Sequence, residues 1–310
     1  MTGPEPRVAN APCSWGVLGG AGVAVGWERM LDELVAAGYH GTELGDPGFL
    51  PDDPKHLREA LASRGLALLG GFRNAPLHDP DGVTAALPEL LATAERMAAA
   101  APTERAPYLI LCDDPGRDPR RAERAGRVRR CDAMDPDTHR TFCAQTERVA
   151  RAVRDRTGLA TLFHPHAASR IETPDEIARF LDDTDPDAVG IVFDTAHVAF
   201  GHGPDDPEAR EVPTLLRRFA PRAPYVHLKD LDPAVARRVR DGAIGYDAAV
   251  GAGLYPELGR GAIDFRAVLG VLADTGYDDW LTVEQDVLPA HGTPYASAVR
   301  NRAYLTRLGL

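Results

Sequence analysis

The sequence predicts an α/β fold: a single (β/α)8 TIM barrel over residues 1–310, with long loops after strands four and seven. Three observations carry this expectation. Strand-like and helix-like segments alternate eight times from one end of the chain to the other. The length suits one barrel of roughly 250 residues with excursions. Finally, the last four strand candidates each end in a side chain able to bind a metal, which an open doubly wound sheet would not require.

The elements follow in order. RVANAPCSW is the first strand, and WERMLDELVAAG is a helix with apolar residues at helical spacing and a Gly stop. GTELG is strand two, PKHLREALASRG helix two and LALLGGF strand three. VTAALPELLATAERMAAA is the next helix, with Pro88 placed near its first turn. YLILCDD and TFCAQTERVARAVRDRTG make the fourth pair, and LATLFHPH is strand five. TPDEIARFLDDT carries a full start signal, with Thr173 as N-cap, Pro174 after it and Glu176 closing a capping box. VGIVFDTAH and VPTLLRRFA make the sixth pair, YVHLKDL and IDFRAVLGVLADTG the seventh, and WLTVEQD and YASAVRNRAYLTRLG the last. Apolar runs bounded by turn residues suit strands buried on both faces of a parallel sheet.

Two connections are long. Residues 113–137 are rich in Arg with interleaved Asp and Glu, a pattern that suits a solvated, partly self-paired loop rather than an anion site. Residues 231–262 are rich in Gly and Ala. Both fall on the face where a barrel keeps its chemistry, and loops of such length are commonly functional.

Composition excludes several classes. A formal net charge of −11 leaves no basic footprint for nucleic acid and none for an anionic membrane surface. No apolar stretch reaches the roughly 20 residues of a membrane helix. Cys13, Cys112, Cys131 and Cys143 lack metal-type spacing, and with no signal peptide they read as reduced thiols of a cytoplasmic protein. The expected partner is a small neutral polyol or sugar, with a homo-oligomer left open.

The chemistry is concentrated in FHPHAA, FDTAHVAFGHG, VHLKD and VEQD. Asp194 ends a buried strand, where a carboxylate needs a cation or hydrogen-bond donors. An Asx-turn or helix N-cap would serve it as well. His227 and Lys229 share one side of their strand, as do Glu284 and Asp286, and His164 and His166. Any one of these has a bland explanation; four consecutive strands ending alike argue for a metal site. Mixed imidazole and carboxylate ligands suit Mn²⁺, Co²⁺, Fe²⁺, Zn²⁺ or Mg²⁺.

These motifs, together with APCSWGV, GTELGDPGFLP, GGFRNAPLHDP, HPHAASRIETPDEI and ELGRGAIDF, resemble the xylose-isomerase-like barrel superfamily of sugar isomerases, epimerases and dehydratases. Within it they are most similar to the inosose dehydratase (2-keto-myo-inositol dehydratase) subfamily. The resemblance covers nearly the whole chain. It implies a divalent metal, Mn²⁺ or Co²⁺ ahead of Mg²⁺, Fe²⁺ and Zn²⁺, held by Asp194, His227 and Glu284. Strand five has His164 or His166 where the superfamily has Glu, and His164 is assigned as the fourth ligand.

The implied reaction is loss of water from a cyclic 2-keto polyol such as 2-keto-myo-inositol, with sugar or inosose isomerisation or epimerisation as the alternative. Both need a proton removed beside a ketone and the resulting enolate stabilised. His166, His197, Lys229 and Glu43 are the candidate proton-transfer residues, although Lys229 could simply pair with a carboxylate and Glu43 could anchor a loop. Trp15, Ser14 and Asp286 are the candidate substrate contacts. Trp15 either stacks on a ring face or plugs the barrel. Cys13 lacks a thiolate-stabilising partner in the sequence.

Overall fold

The computed structural model describes residues 7–17, 25–101, 105–286 and 292–310. Eight parallel strands run β1 (Val8–Asn10), β2 (Gly41–Glu43), β3 (Ala67–Asn74), β4 (Tyr108–Cys112), β5 (Thr161–Phe163), β6 (Val189–Asp194), β7 (Tyr225–Leu228) and β8 (Leu281–Val283). From β2 to β8 each strand pairs with the next in sequence, and β1 pairs with β8. The His40 amide donates to the Val8 carbonyl at 3.0 Å and brings β2 against β1, so the ring is nearly closed. This is the (β/α)8 barrel that the alternation predicts.

The helices are α1 (Trp27–Ala36), α2 (Pro54–Ala62), α3 (Pro80–Ala100), α4 (Pro119–Arg124), α5 (Pro136–Thr157) and α6 (Pro174–Asp182). After them come α7 (Thr195–His202), α8 (Val212–Phe219), α9 (Pro233–Arg240), α10 (Tyr246–Gly251), α11 (Phe265–Asp274) and α12 (Pro294–Arg307). Local chemistry explains several of their ends. Thr173 and Glu176 form the reciprocal capping box anticipated for α6. Asp135 and Asp53 cap α5 and α2, each followed by Pro in the first turn, where a missing amide costs nothing.

Four expectations need correction. The first strand stops at Asn10, and Pro12–Trp15 form a 3-10 turn instead of continuing it. Pro88 lies inside α3, because that helix starts at Pro80 with Asp79 as its cap. The two long connections are not plain loops: α4 sits in the first, and α9 and α10 in the second. Helix α7 begins directly after Asp194, where the strand was expected to continue, and every residue from Thr195 to Gly201 is buried. A helix buried all round lacks the amphipathic period that would announce it.

Strand alternation builds the interior in layers. Ala9, Leu69, Ile110, Leu162, Val192, Tyr225 and Trp280 point inward and pack together as a plug. Their outward neighbours, among them Val8, Leu111, Phe163, Phe193 and Val226, join the larger core under the helices. Two residues past the plug, on the same inward side, come His164, Asp194 and His227. The apolar layer is thus the floor on which the polar residues stand.

The Arg-rich connection is pinned to the barrel mouth rather than free. Arg121 is buried, donates to the Ser169 carbonyl at 2.8 Å and makes paired bonds of 2.8 and 2.9 Å to Glu176. Arg120 and Arg129 both bond Asp132, so part of the segment is self-paired as anticipated. Glu172 ties the Gly126 amide (2.7 Å) to the Ala168 amide (2.6 Å), joining this connection to the one that carries the histidines of β5.

Candidate metal centre

His164, Asp194, His227 and Glu284 each offer one ligand atom, and the four atoms lie within 4.8 Å of one another. They come from the ends of β5, β6, β7 and β8, the four consecutive strands singled out by sequence. Asp194 and His227 are direct register partners. His227 Nδ1 lies 3.3 Å from Glu284 Oε1 and 3.9 Å from Asp194 Oδ2.

The donor set fits a cation on the protein's own terms. His164 Nδ1, Asp194 Oδ2 and His227 Nδ1 are all fully buried, and none has a hydrogen-bond partner. A buried polar atom without a partner costs about 1–3 kcal/mol. Three that converge mark a place where one positive ion would satisfy all of them. Asp194 also does what its alternative explanation required. Its Oδ1 accepts from the amides of Ala196 and His197 at 2.9 and 2.8 Å, capping α7 and leaving Oδ2 for the cluster. Burial pushes the Asp194 carboxyl above the usual range, with Lys229 only partly offsetting it. Burial opposes ionisation of Glu284 too, but His227 and Lys229 outweigh it and hold that carboxyl well below its ordinary value.

Around the cluster stand the other candidates. Lys229 Nζ donates to Asp286 Oδ1 at 3.0 Å and to Glu284 Oε2 at 3.4 Å, and lies 4.5 Å above the ring of Tyr255. Burial disfavours this ammonium, yet the carboxylates of Asp286, Glu284 and Asp194 raise its pKa well above the ordinary lysine value. Lys229 is therefore held between two carboxylates. His166 Nδ1 donates to the Ala167 carbonyl at 2.7 Å, which fixes its tautomer and leaves Nε2 bare. Burial pushes its pKa down to about 4, against the smaller opposing effect of that hydrogen bond. The His197 ring centroid is 3.8 Å from that of His166. His197 Nδ1 accepts from the Ala167 amide at 3.2 Å, so its proton is on Nε2, which is buried without a partner. Glu43 Oε1 lies 2.9 Å from His227 Nε2 and accepts the Tyr225 hydroxyl at the same distance.

Glu43, His164, His166, Lys229, Glu284 and Asp286 all line one cleft of about 1020 Å³. A smaller cleft of about 610 Å³, between the Arg-rich connection and α6, contains none of the cluster residues. Phe72 and Asn74 from β3 and Tyr246 from α10 complete the larger cleft. Sequence reasoning names none of the three as site residues: GGFRN reads as a strand and a family motif without a role for Phe72 or Asn74, and Tyr246 lies in a segment read as loop.

Two expected substrate contacts sit elsewhere. Trp15 is completely buried in the outer core and donates Nε1 to Glu33 Oε2 at 2.8 Å, so its ring has no face toward the cleft. The Ser14 hydroxyl accepts the Gln285 amide at 3.1 Å, fastening the turn after β1 to the end of β8. Neither lines the cleft, whereas Cys13, just before them in the chain, does. Burial and then the Glu284 charge push the Cys13 thiol far above its usual value, which disfavours the thiolate. Among the described residues no helix is long and apolar enough to cross a membrane.

Known proteins share this architecture and much of the sequence. The xylose isomerase-like TIM barrel family matches residues 31–301. The inosose dehydratase of Geobacillus kaustophilus is 31% identical over 307 residues, covering 97% of this chain and 94% of that protein. The rhizopine catabolism protein MocC of Rhizobium meliloti is 34% identical over 279 residues, covering 87% of this chain and 78% of that one. Among solved structures, the IOLI protein with a bound zinc atom superposes with a TM-score of 0.66 at 14% identity, over 97% of both chains. With the family matched over most of its length and its four strand-end side chains gathered at one barrel mouth, the chain belongs to the xylose isomerase-like TIM barrel family.

Proposed function

We propose that the protein is a divalent-metal-dependent hydro-lyase of the inosose dehydratase type, acting on a cyclic 2-keto polyol. One observation carries the reading. His164 and Glu284 of the four-residue metal-capable cluster, the bare imidazole nitrogen of His166 and the ammonium of Lys229 meet at one cleft. The full-length likeness to a protein named inosose dehydratase supports the choice of substrate class.

A divalent ion held by His164, Asp194, His227 and Glu284 would supply Lewis-acid stabilisation of negative charge on a ketone oxygen. Two imidazoles with two carboxylates suit Mn²⁺, Co²⁺, Fe²⁺ or Zn²⁺ better than Mg²⁺, which prefers oxygen donors. The remaining work falls to the chain's own groups. His166 Nε2 is placed to accept the proton beside the ketone. Lys229, held charged by Asp286 and Glu284, is placed to donate a hydrogen bond to oxygen as the β-hydroxyl leaves. Removing that proton and breaking the β-carbon–oxygen bond releases one water and leaves an enone, which tautomerises to a dione.

The test is an assay of metal-stripped protein with 2-keto-myo-inositol while Mn²⁺ or Co²⁺ is added back. Growth of the ultraviolet absorbance of an enolised dione that depends on the ion is the expected result. A rearranged inosose by NMR, with no absorbance, would make the protein an isomerase or epimerase. Unchanged substrate would overturn the substrate assignment.

A further inference from the structure

We infer that Glu43 is a positioning residue, not a proton-transfer group: it fixes His227 in the tautomer whose Nδ1 can bind the metal. The inference rests on the metal reading above. His227 has two ring nitrogens in opposite circumstances. Nε2 lies 2.9 Å from Glu43 Oε1, while Nδ1 has no hydrogen-bond partner and faces Glu284 Oε1 and Asp194 Oδ2 at 3.3 and 3.9 Å. An ionised carboxylate only accepts, so the proton of a neutral imidazole facing Glu43 resides on Nε2. The lone pair is then left on Nδ1, the nitrogen turned toward the other three ligands.

The carboxylate is itself held. Tyr225, two residues before His227 on β7, donates its hydroxyl to the same Glu43 oxygen at 2.9 Å. That hydroxyl also contacts Thr282 Oγ1 at 2.5 Å, and Thr282 is the register partner of His227 on β8. Glu43, His227, Tyr225 and Thr282 are all buried. Glu43 Oε1 on β2 is therefore met by two side chains of β7, the Tyr225 hydroxyl and the His227 imidazole, and β8 reaches this group through Thr282 on that hydroxyl. With two donors already on Oε1, the geometry suits orientation of His227 better than acceptance of a substrate proton. Carboxylates in this relation to a ligating histidine commonly contribute 10–100-fold in metal affinity.

The experiment measures Co²⁺ affinity by chelator competition, read from the visible absorption of the bound ion, for the wild type, Glu43→Gln, Glu43→Asp and Tyr225→Phe. Thermal unfolding of each metal-free protein is recorded alongside. The expected result for Glu43→Gln is a loss of affinity of about 10–100-fold with its metal-free unfolding close to wild type. Tyr225→Phe should lose less, because Glu43 stays. If Glu43→Gln does not fold, Glu43→Asp carries the same expectation, since its shorter side chain withdraws the acceptor from Nε2. Wild-type affinity in the Glu43 variants, with only kcat reduced, would overturn the inference and return Glu43 to the substrate. Absence of Co²⁺ uptake by the wild type would overturn the metal reading and this inference together.

Discussion

Asp194 and His227 are register partners across β6 and β7, and the atoms each leaves unpaired, Oδ2 and Nδ1, lie 3.9 Å apart. Two adjacent strands thus end by presenting a carboxylate oxygen and an imidazole nitrogen to the same small volume. The other oxygen of Asp194 caps α7, so one side chain both starts a helix and faces the cluster.

Those two duties are separable. Asp194→Asn keeps an oxygen for the α7 amides but places an uncharged amide in the cluster. Asp194→Ala loses both. Metal affinity should collapse in each variant, whereas only Asp194→Ala should also lose about 1–2 kcal/mol of metal-free stability from the missing cap. Urea unfolding in chelator, paired with metal analysis, tests this. Full metal occupancy in either variant refutes the site.

Lys229 pairs with Glu284, which a metal would also engage, and with Asp286, which lies outside the four-residue cluster. Lys229→Met leaves Asp286 and Glu284 without their cation and should cost the metal-free protein about 3–5 kcal/mol. Saturating Co²⁺ should return part of that loss by binding only the folded state. A variant as stable as wild type in chelator would show that the pair contributes nothing to folding.

His166 and His197 stack, yet their free atoms differ: His166 leaves an acceptor, His197 a donor. Replacing His166 by Gln should lower kcat by about 10²–10⁴-fold with metal affinity retained, as expected for a general base. His197→Gln keeps a side-chain amide donor and should lose less. Equal losses in the two variants would assign proton transfer to neither.

Glu172 gives a pH dependence with a definite sign. Burial raises its pKa from 4.5 to about 7, with Arg121 and the Gly126 and Ala168 amides opposing. The unfolded chain releases this proton near 4.5, while the folded chain keeps it to about 7. Stability from this group is therefore fully present below 4.5 and lost as pH rises to about 7, by an amount on the order of 3 kcal/mol. Unfolding curves at pH 5 and pH 8 should show a drop in the wild type that is smaller by that amount in Glu172→Gln. The same drop in both proteins would exclude Glu172 as its source.

The sequence by itself determined the barrel and the four-strand cluster. Parallel strands buried on both faces must be written as uninterrupted apolar runs, so a charged or imidazole side chain at the end of one is visible in the text of the chain. Well-capped helices such as α6 are visible for a similar reason, because caps are local chemistry. Contacts between residues distant in sequence are not visible in that way. Trp15 went to the outer core rather than the cleft, because the turn after β1 aims its ring at Glu33 on α1. Glu43 met His227 across the barrel mouth, at a separation of 184 residues. Phe72, Asn74 and Tyr246 line the cleft because β3 and α10 are brought to the same barrel mouth as the cluster. Alternation along a strand decides which way a side chain points, and that is encoded locally. Which other side chain it meets there depends on barrel closure and on the path of each connection, and those exist only in the folded chain.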